Sequence, residues 1–206
     1  KSTTFYTYSN DLNGDKAMET SISYRGELAL RSNGTMIESE SFYTGIKGDE
    51  LVGRTLTHRL DADNLVKSTT FYTYSNDLNG DKAMSTSISY RGELALRSNG
   101  TMIESESFYT GIKGDELVGR TLTHRLDADN LVKSTTFYTY SNDLNGDKAM
   151  ETSISYRGEL ALRSNGTMIE SESFYTGIKG DELVGRTLTH RLDADNLVKS
   201  TTFYTY

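Results

Sequence analysis

Residues 67–132 repeat residues 1–66 with a single substitution, residues 133–198 repeat them again, and residues 199–206 copy residues 1–8. No stretch of altered composition separates the copies, so whatever one copy folds into must join directly onto the next. The chain therefore divides into repeat unit 1 (1–66), unit 2 (67–132), unit 3 (133–198) and a partial fourth unit (199–206), which supplies one extra strand. Short units joined this way stack on their neighbours, and one continuous structure is expected.

The hydrophobic period within a copy is two. Met18, Thr20, Ile22 and Tyr24 alternate with Glu19, Ser21 and Ser23, the signature of a half-buried strand. Residues 2–8 are β-branched and aromatic, with Tyr6 and Tyr8 on one side and Phe5 on the other. Residues 36–43 alternate with Glu38, Glu40 and Phe42 on one side, and residues 51–60 place Val52, Leu56 and Leu60 together. Residues 27–31 add a shorter strand carrying Leu28 and Leu30, for about five strands per copy.

Turn chemistry falls between these segments. Asn33-Gly34 is the two-residue hairpin signal, because a type I′ turn needs two residues tolerant of positive φ. Asn13-Gly14 ends a second turn, Gly26 marks a corner, residues 45–49 form a looser connection and residues 61–64 the last. Short connections pair consecutive strands antiparallel. The expected fold is thus an all-β antiparallel meander of three near-identical units. The sequence leaves it undecided whether the sheet stays open or closes into a barrel or toroid.

Composition narrows the function classes. There is no Cys, which removes disulfides, thiolate metal sites and cysteine nucleophiles. No apolar run approaches the ~18 residues of a membrane helix, so membrane insertion is not expected. Both charge signs are interspersed and the net charge is −7, a surface without the basic stripe that nucleic acid requires. Hydrophobic residues make up 35% of the chain, and a shallow, one-sided core is expected.

The one difference between copies is Ser85, where Glu19 and Glu151 stand in the other two. Glu and Ser codons are not a single base apart, which points to deliberate duplication or to recent amplification of a near-identical array. If natural, such a chain is expected outside the cell or on its surface; otherwise it is a recombinant product.

Candidate sites are few. His58, with its copies His124 and His190, is the single histidine of each unit and reads as a strand residue beside Leu56 and Leu60. Glu38 and Glu40 have the spacing of paired carboxylates but sit in a Ser-rich strand, where cross-strand partners are the better explanation. Asp11, Asn13 and Asp15 open like a calcium loop, yet Lys16 stands where such a loop needs Gly. Asn33-Gly34-Thr35 is a glycosylation sequon whose Asn-Gly the hairpin already explains. The tyrosines Tyr6, Tyr8, Tyr24 and Tyr43, with Tyr72, Tyr74, Tyr90 and Tyr109 in the next unit, combine a flat apolar ring with a polar tip suited to sugars.

No nucleophile–base pair, cofactor motif or metal constellation emerges. The sequence reads as a non-catalytic structural or scaffold β-repeat, able to assemble with itself through edge strands. The alternative is a multivalent carbohydrate- or small-ligand-binding module with one Tyr-lined site per unit.

Overall fold

The computed structural model describes residues 1–27, 35–59, 64–126, 130–191 and 196–206. Unit 1 contributes β1 (Ser2–Asn10), β2 (Lys16–Arg25), β3 (Ile37–Thr44) and β4 (Leu51–His58). Unit 2 repeats the quartet as β5 (Val66–Asn76), β6 (Lys82–Arg91), β7 (Ile103–Thr110) and β8 (Leu117–His124). Unit 3 gives β9 (Val132–Asn142), β10 (Lys148–Arg157), β11 (Ile169–Thr176) and β12 (Leu183–His190), and β13 (Val198–Phe203) follows. These 13 strands form one open antiparallel meander in which every strand pairs with its sequence neighbours, from β1 at one side to β13 at the other. The expected fold class holds, and the sheet does not close.

Among the described residues each unit supplies four strands rather than five. The expected short strand at 27–31 falls largely outside the described residues in unit 1. In units 2 and 3 its counterparts are irregular backbone leading into 3-10 turns at Arg97–Asn99 and Arg163–Asn165. The expected Asn-Gly hairpin disappears with it. Asn33-Gly34 lies outside the described residues, and at its counterpart Gly100 has φ −74°, which a type I′ turn does not use.

The physical reason is that this segment finds its partners on the sheet face instead of in a ladder. Thr69, which is fully buried, donates through Oγ1 to the Gly92 carbonyl (2.7 Å) and accepts from the Leu94 amide (3.0 Å). Arg54, from the preceding unit, donates through one guanidinium nitrogen to the carbonyls of Leu94 (3.0 Å) and Ala95 (2.8 Å). Farther along, Gly100 lies flat against the Tyr90 ring: a Cβ there would sit 2.3 Å from the ring's Cδ1. The segment is a lid on the sheet.

That lid separates the two faces. The covered face carries Ile88, Tyr90 and Leu56, each 6% exposed, and Ile22, Tyr24 and Leu122 on the same side of the sheet are buried likewise. Phe5 meets Tyr24 edge-on with ring centroids 6.1 Å apart, and Arg54 stacks over Phe42 at 4.2 Å. Burying a side chain such as Leu56 contributes about 1.5–3 kcal/mol. The core is one-sided, as the thin composition implied.

Every strand pair also contains one irregularity. Thr7 pairs with Thr20 but Tyr8 with Met18, which leaves Glu19 as an extra residue. By the same reading Glu38, Gly53 and Lys67 are extra in the next three pairs. Each such bulge reverses the alternation on its strand. Met18 therefore faces away from Ile22 and Tyr24, and Val52 away from Leu56, against the simple period-two reading. Leu60 lies outside the described residues. The Glu-to-Ser difference between units falls on a bulge, where no ladder partner is lost. Ser85 occupies it by donating to the Thr73 carbonyl (3.1 Å).

Candidate functional site

Two arrangements carry chemistry. The first sits in the covered face. His58 is 6% exposed, and its Nδ1 lies 2.7 Å from the Asn64 carbonyl. A carbonyl can only accept, so Nδ1 carries a proton and donates it. Nε2 lies 2.9 Å from Glu40 Oε1, within ion-pair distance but outside hydrogen-bond geometry. Asn64 adopts φ 48° and spans two strands: its Nδ2 donates to the Thr35 carbonyl (2.7 Å) and its Oδ1 accepts from the Ile37 amide (2.8 Å).

The group recurs as His124–Glu106 and His190–Glu172. It ties the connection after β4 to the start of β3. Glu38, as the bulge residue, does not share the ladder position that brings Glu40 to the histidine. Sequence reading treated His58 as a lone strand residue. Only the pairing of β3 with β4, which sets Glu40 opposite Leu56, places the carboxylate next to it.

The second arrangement is the opposite, uncovered face. Starting from Tyr6 on β1, the cross-strand partners run Ser21, Ser41, Thr55, Thr70 and Ser89, so each residue of this row bears a hydroxyl. A parallel row begins at Thr4 and passes through Ser23, Ser39 and Thr57. Hydroxyls touch within the rows, as in Thr4–Ser23 at 2.8 Å and Ser41–Thr55 at 2.9 Å. Neighbouring strands set the rung spacing at about 4.8 Å, and the rows lie about two residues apart along each strand.

Beside the hydroxyl rows runs an aromatic band. Tyr8 pairs with Met18, and Tyr43 with Val52. The Tyr43 hydroxyl is bonded to Ser21 Oγ at 3.1 Å, although Ser21 stands opposite Ser41, one diagonal step away. Tyr74 donates to the Val52 carbonyl on the neighbouring strand at 3.0 Å. A tyrosine that reaches a diagonal or next-strand partner leans along the sheet rather than standing off it. Burial pushes the Tyr74 phenol above its ordinary range, with neighbouring Tyr72 adding to the effect, so it remains a neutral donor.

The eight tyrosines singled out in the sequence do not share one face. Tyr6, Tyr8, Tyr43, Tyr72, Tyr74 and Tyr109 belong to the uncovered face. Tyr24 and Tyr90 are 7% and 6% exposed on the covered one, where they serve as core. Sequence alternation placed Tyr6 and Tyr8 correctly relative to Phe5. It could not show that Tyr43 joins them, because Gly53 and Glu19 change the alternation of the strands on either side.

The acidic turns are engaged by backbone. Asp11 Oδ1 accepts from the amides of Asn13 (2.8 Å) and Asp15 (2.9 Å), and Oδ2 accepts from the Lys47 amide (2.9 Å). The Lys47 amide bond, with those of Asp15 and Asn13, holds the Asp11 carboxyl below its usual range. Among the described residues no cluster of three or more His, Cys, Asp or Glu side chains is placed to hold a metal ion. Clefts at this end of the sheet, lined by Ile46, Leu51 and the next unit's Lys82, are bridged by Lys113 and Asp49 at 2.7 Å.

No family model matches the chain, and no curated protein sequence matches it. Among solved structures it is similar to a porin-like protein from Bacteroides uniformis, at 11% identity and a TM-score of 0.23, over 89% of this chain and 88% of that one.

Proposed function

We propose that this chain is a non-catalytic structural array, a scaffold or spacer that lengthens by four strands per unit. The observation that carries the reading is the identity of the joints. β4 pairs with β5 in the same register as β8 with β9, and β12 with β13, so every unit boundary is made by the same pairing. Side chains reinforce the boundary. Arg54 reaches the lid of unit 2 and Arg120 that of unit 3, while Lys113 pairs with Asp49 and Lys179 with Asp115. Hydrogen bonding to Asp49 raises the Lys113 pKa, so the bridge favours the charged form of the lysine.

Such a device works mechanically: backbone ladders cross each boundary, and each unit presents the next with a template. Self-association of whole chains by the same strand pairing is part of this reading. The test is a length series of three, four and five units examined by small-angle X-ray scattering. A structural array adds about 19 Å per unit, which is four strand spacings, and its unfolding midpoint rises with unit number. Units that tumble as separate beads, with a midpoint independent of their number, would overturn it.

A further inference from the structure

The uncovered face differs in kind from the rest of the surface. Between the strand ends its ladder-paired positions hold Ser, Thr, Tyr, Met and Val, and its basic residues, such as Lys16 and Arg25, stand at the ends of the strands. Among the described residues no strand packs over it, since each strand meets only its neighbours in a single sheet. The lids that bury the other face reach Thr69, Arg54 and Tyr90, all on that other side.

A charged polymer finds no complement in the middle of such a face, and an apolar one meets too many hydroxyls. Tyr43 and Tyr74 lean along the sheet, their hydroxyls fixed on Ser21 and on the Val52 carbonyl. Flat rings beside rows of hydroxyls match one chemistry: a neutral pyranose chain, with C–H faces to stack and equatorial hydroxyls to bond. Spacing narrows it further. The ring-bearing strands are every second strand, as Tyr43 on β3, Tyr74 on β5 and Tyr109 on β7. Two strand spacings are about 9.6 Å, close to the length of a β-1,4-linked disaccharide.

We infer that the uncovered face is a docking platform for a single neutral β-1,4-linked polysaccharide chain, of the glucan or chitin type, laid across the strands along the tyrosine band. The platform is continuous through the units rather than one closed pocket in each. It adds a ligand to the structural role and rests on the same continuous sheet, which the length series tests without any glycan.

The test is calorimetric titration of the full chain with cellohexaose and chitohexaose, with an α-1,6-linked dextran oligomer as control and a pull-down on the insoluble polymers beside it. Binding of a β-1,4-linked hexaose, with the dextran at least about tenfold weaker, is expected. Binding to the insoluble polymer alone would overturn the single-chain assignment. Replacing Tyr43, Tyr109 and Tyr175 together by Ala is expected to weaken binding about tenfold or more, while the same positions as Phe, which keep the rings, stay within about threefold of the parent.

Because the Ala variant removes ordered side chains, a second variant carries Lys at Thr55, Thr121 and Thr187, half-buried positions of the hydroxyl row next to the band. It is expected to abolish binding with the circular dichroism of the sheet unchanged. No binding of either hexaose, equal binding of dextran, or full binding by the Lys variant would each overturn the inference.

Discussion

Neighbouring residues on one strand live in different worlds in this protein. On β2, Ile22 is 7% exposed on the apolar face, whereas the adjacent Ser23 makes a hydroxyl contact with Thr4 on the open side. The covered face concentrates apolar burial, edge-on aromatic pairs, the Arg54–Phe42 stack and the buried His58–Glu40 contact. The open face is built of small hydroxyls and leaning tyrosines, with no strand above it. A sheet one strand thick therefore gains its apolar burial on one side only. The lesson is that roughly half of every strand is released from packing duty, and its residues answer to other demands.

The sharpest way to break this contrast is to truncate one residue on each side. Ile88→Ala, under the lid of unit 2, is expected to cost about 2–5 kcal/mol. Ser107→Ala, which removes the 2.9 Å contact with Thr121 on the open face, is expected to cost about 1 kcal/mol or less. Urea denaturation of the two variants decides it; equal losses would mean that the faces are energetically alike. Next in size is Gly100→Ala. The added methyl meets the Tyr90 ring, and overpacking of this sort costs about 1–3 kcal/mol while lifting the lid. Faster amide exchange at Leu94, whose N–H is bonded to Thr69, is the readout.

A smaller effect is expected where one unit holds the lid of the next. Arg120→Ala removes the bonds to the Leu160 and Ala161 carbonyls (both 2.9 Å) and the stack on Phe108, at a cost of about 1–2 kcal/mol. Its signature is that amides of unit 3 exchange faster although the substitution lies in unit 2. Exchange confined to unit 2 would mean that the clamp does not couple them.

Much of this was legible in the sequence. Near-exact repetition and period-two alternation dictated an antiparallel all-β meander, and Asn13-Gly14 and Gly26 marked real corners, with φ 85° at Gly14 and 99° at Gly26. What was not legible has a common cause. Bulges at Glu19, Glu38, Gly53 and Lys67 change which face the following residues occupy, and nothing local in the sequence announces them. The lid was misread as a hairpin because its partners, Thr69 and Arg54, are 25 and 40 residues from Leu94. The His58–Glu40 contact and the assembly of Tyr43 with Tyr74 were hidden in the same way, since register alone creates them.

The smallest expected effect concerns the turns rather than either face. Asp77 has its carboxyl pKa lowered from 3.8, first by the Lys113 amide and then by those of Asn79 and Asp81. A depressed folded-state pKa means that its contribution is fully present above about pH 3.8, the unfolded value, and is lost as the pH falls through the lower folded value. Acidification from pH 5 to below about pH 3 is therefore expected to loosen the turn at residues 77–81. Asp77→Asn, which already lacks the charge, should flatten that dependence in an amide-exchange measurement. An unchanged profile in the variant would assign the acid sensitivity elsewhere.

The central claim is that the sheet is open, one strand thick and continuous through all units. Spin labels at Thr4→Cys and Thr202→Cys, on β1 and β13 and on the same face, test it most directly by pulsed dipolar spectroscopy. Twelve strand spacings separate these strands, so the account expects a label distance on the order of 50 Å in a monomeric sample diluted with unlabelled chain. Labels about one strand spacing apart, near 5 Å, would show β1 beside β13 and contradict it.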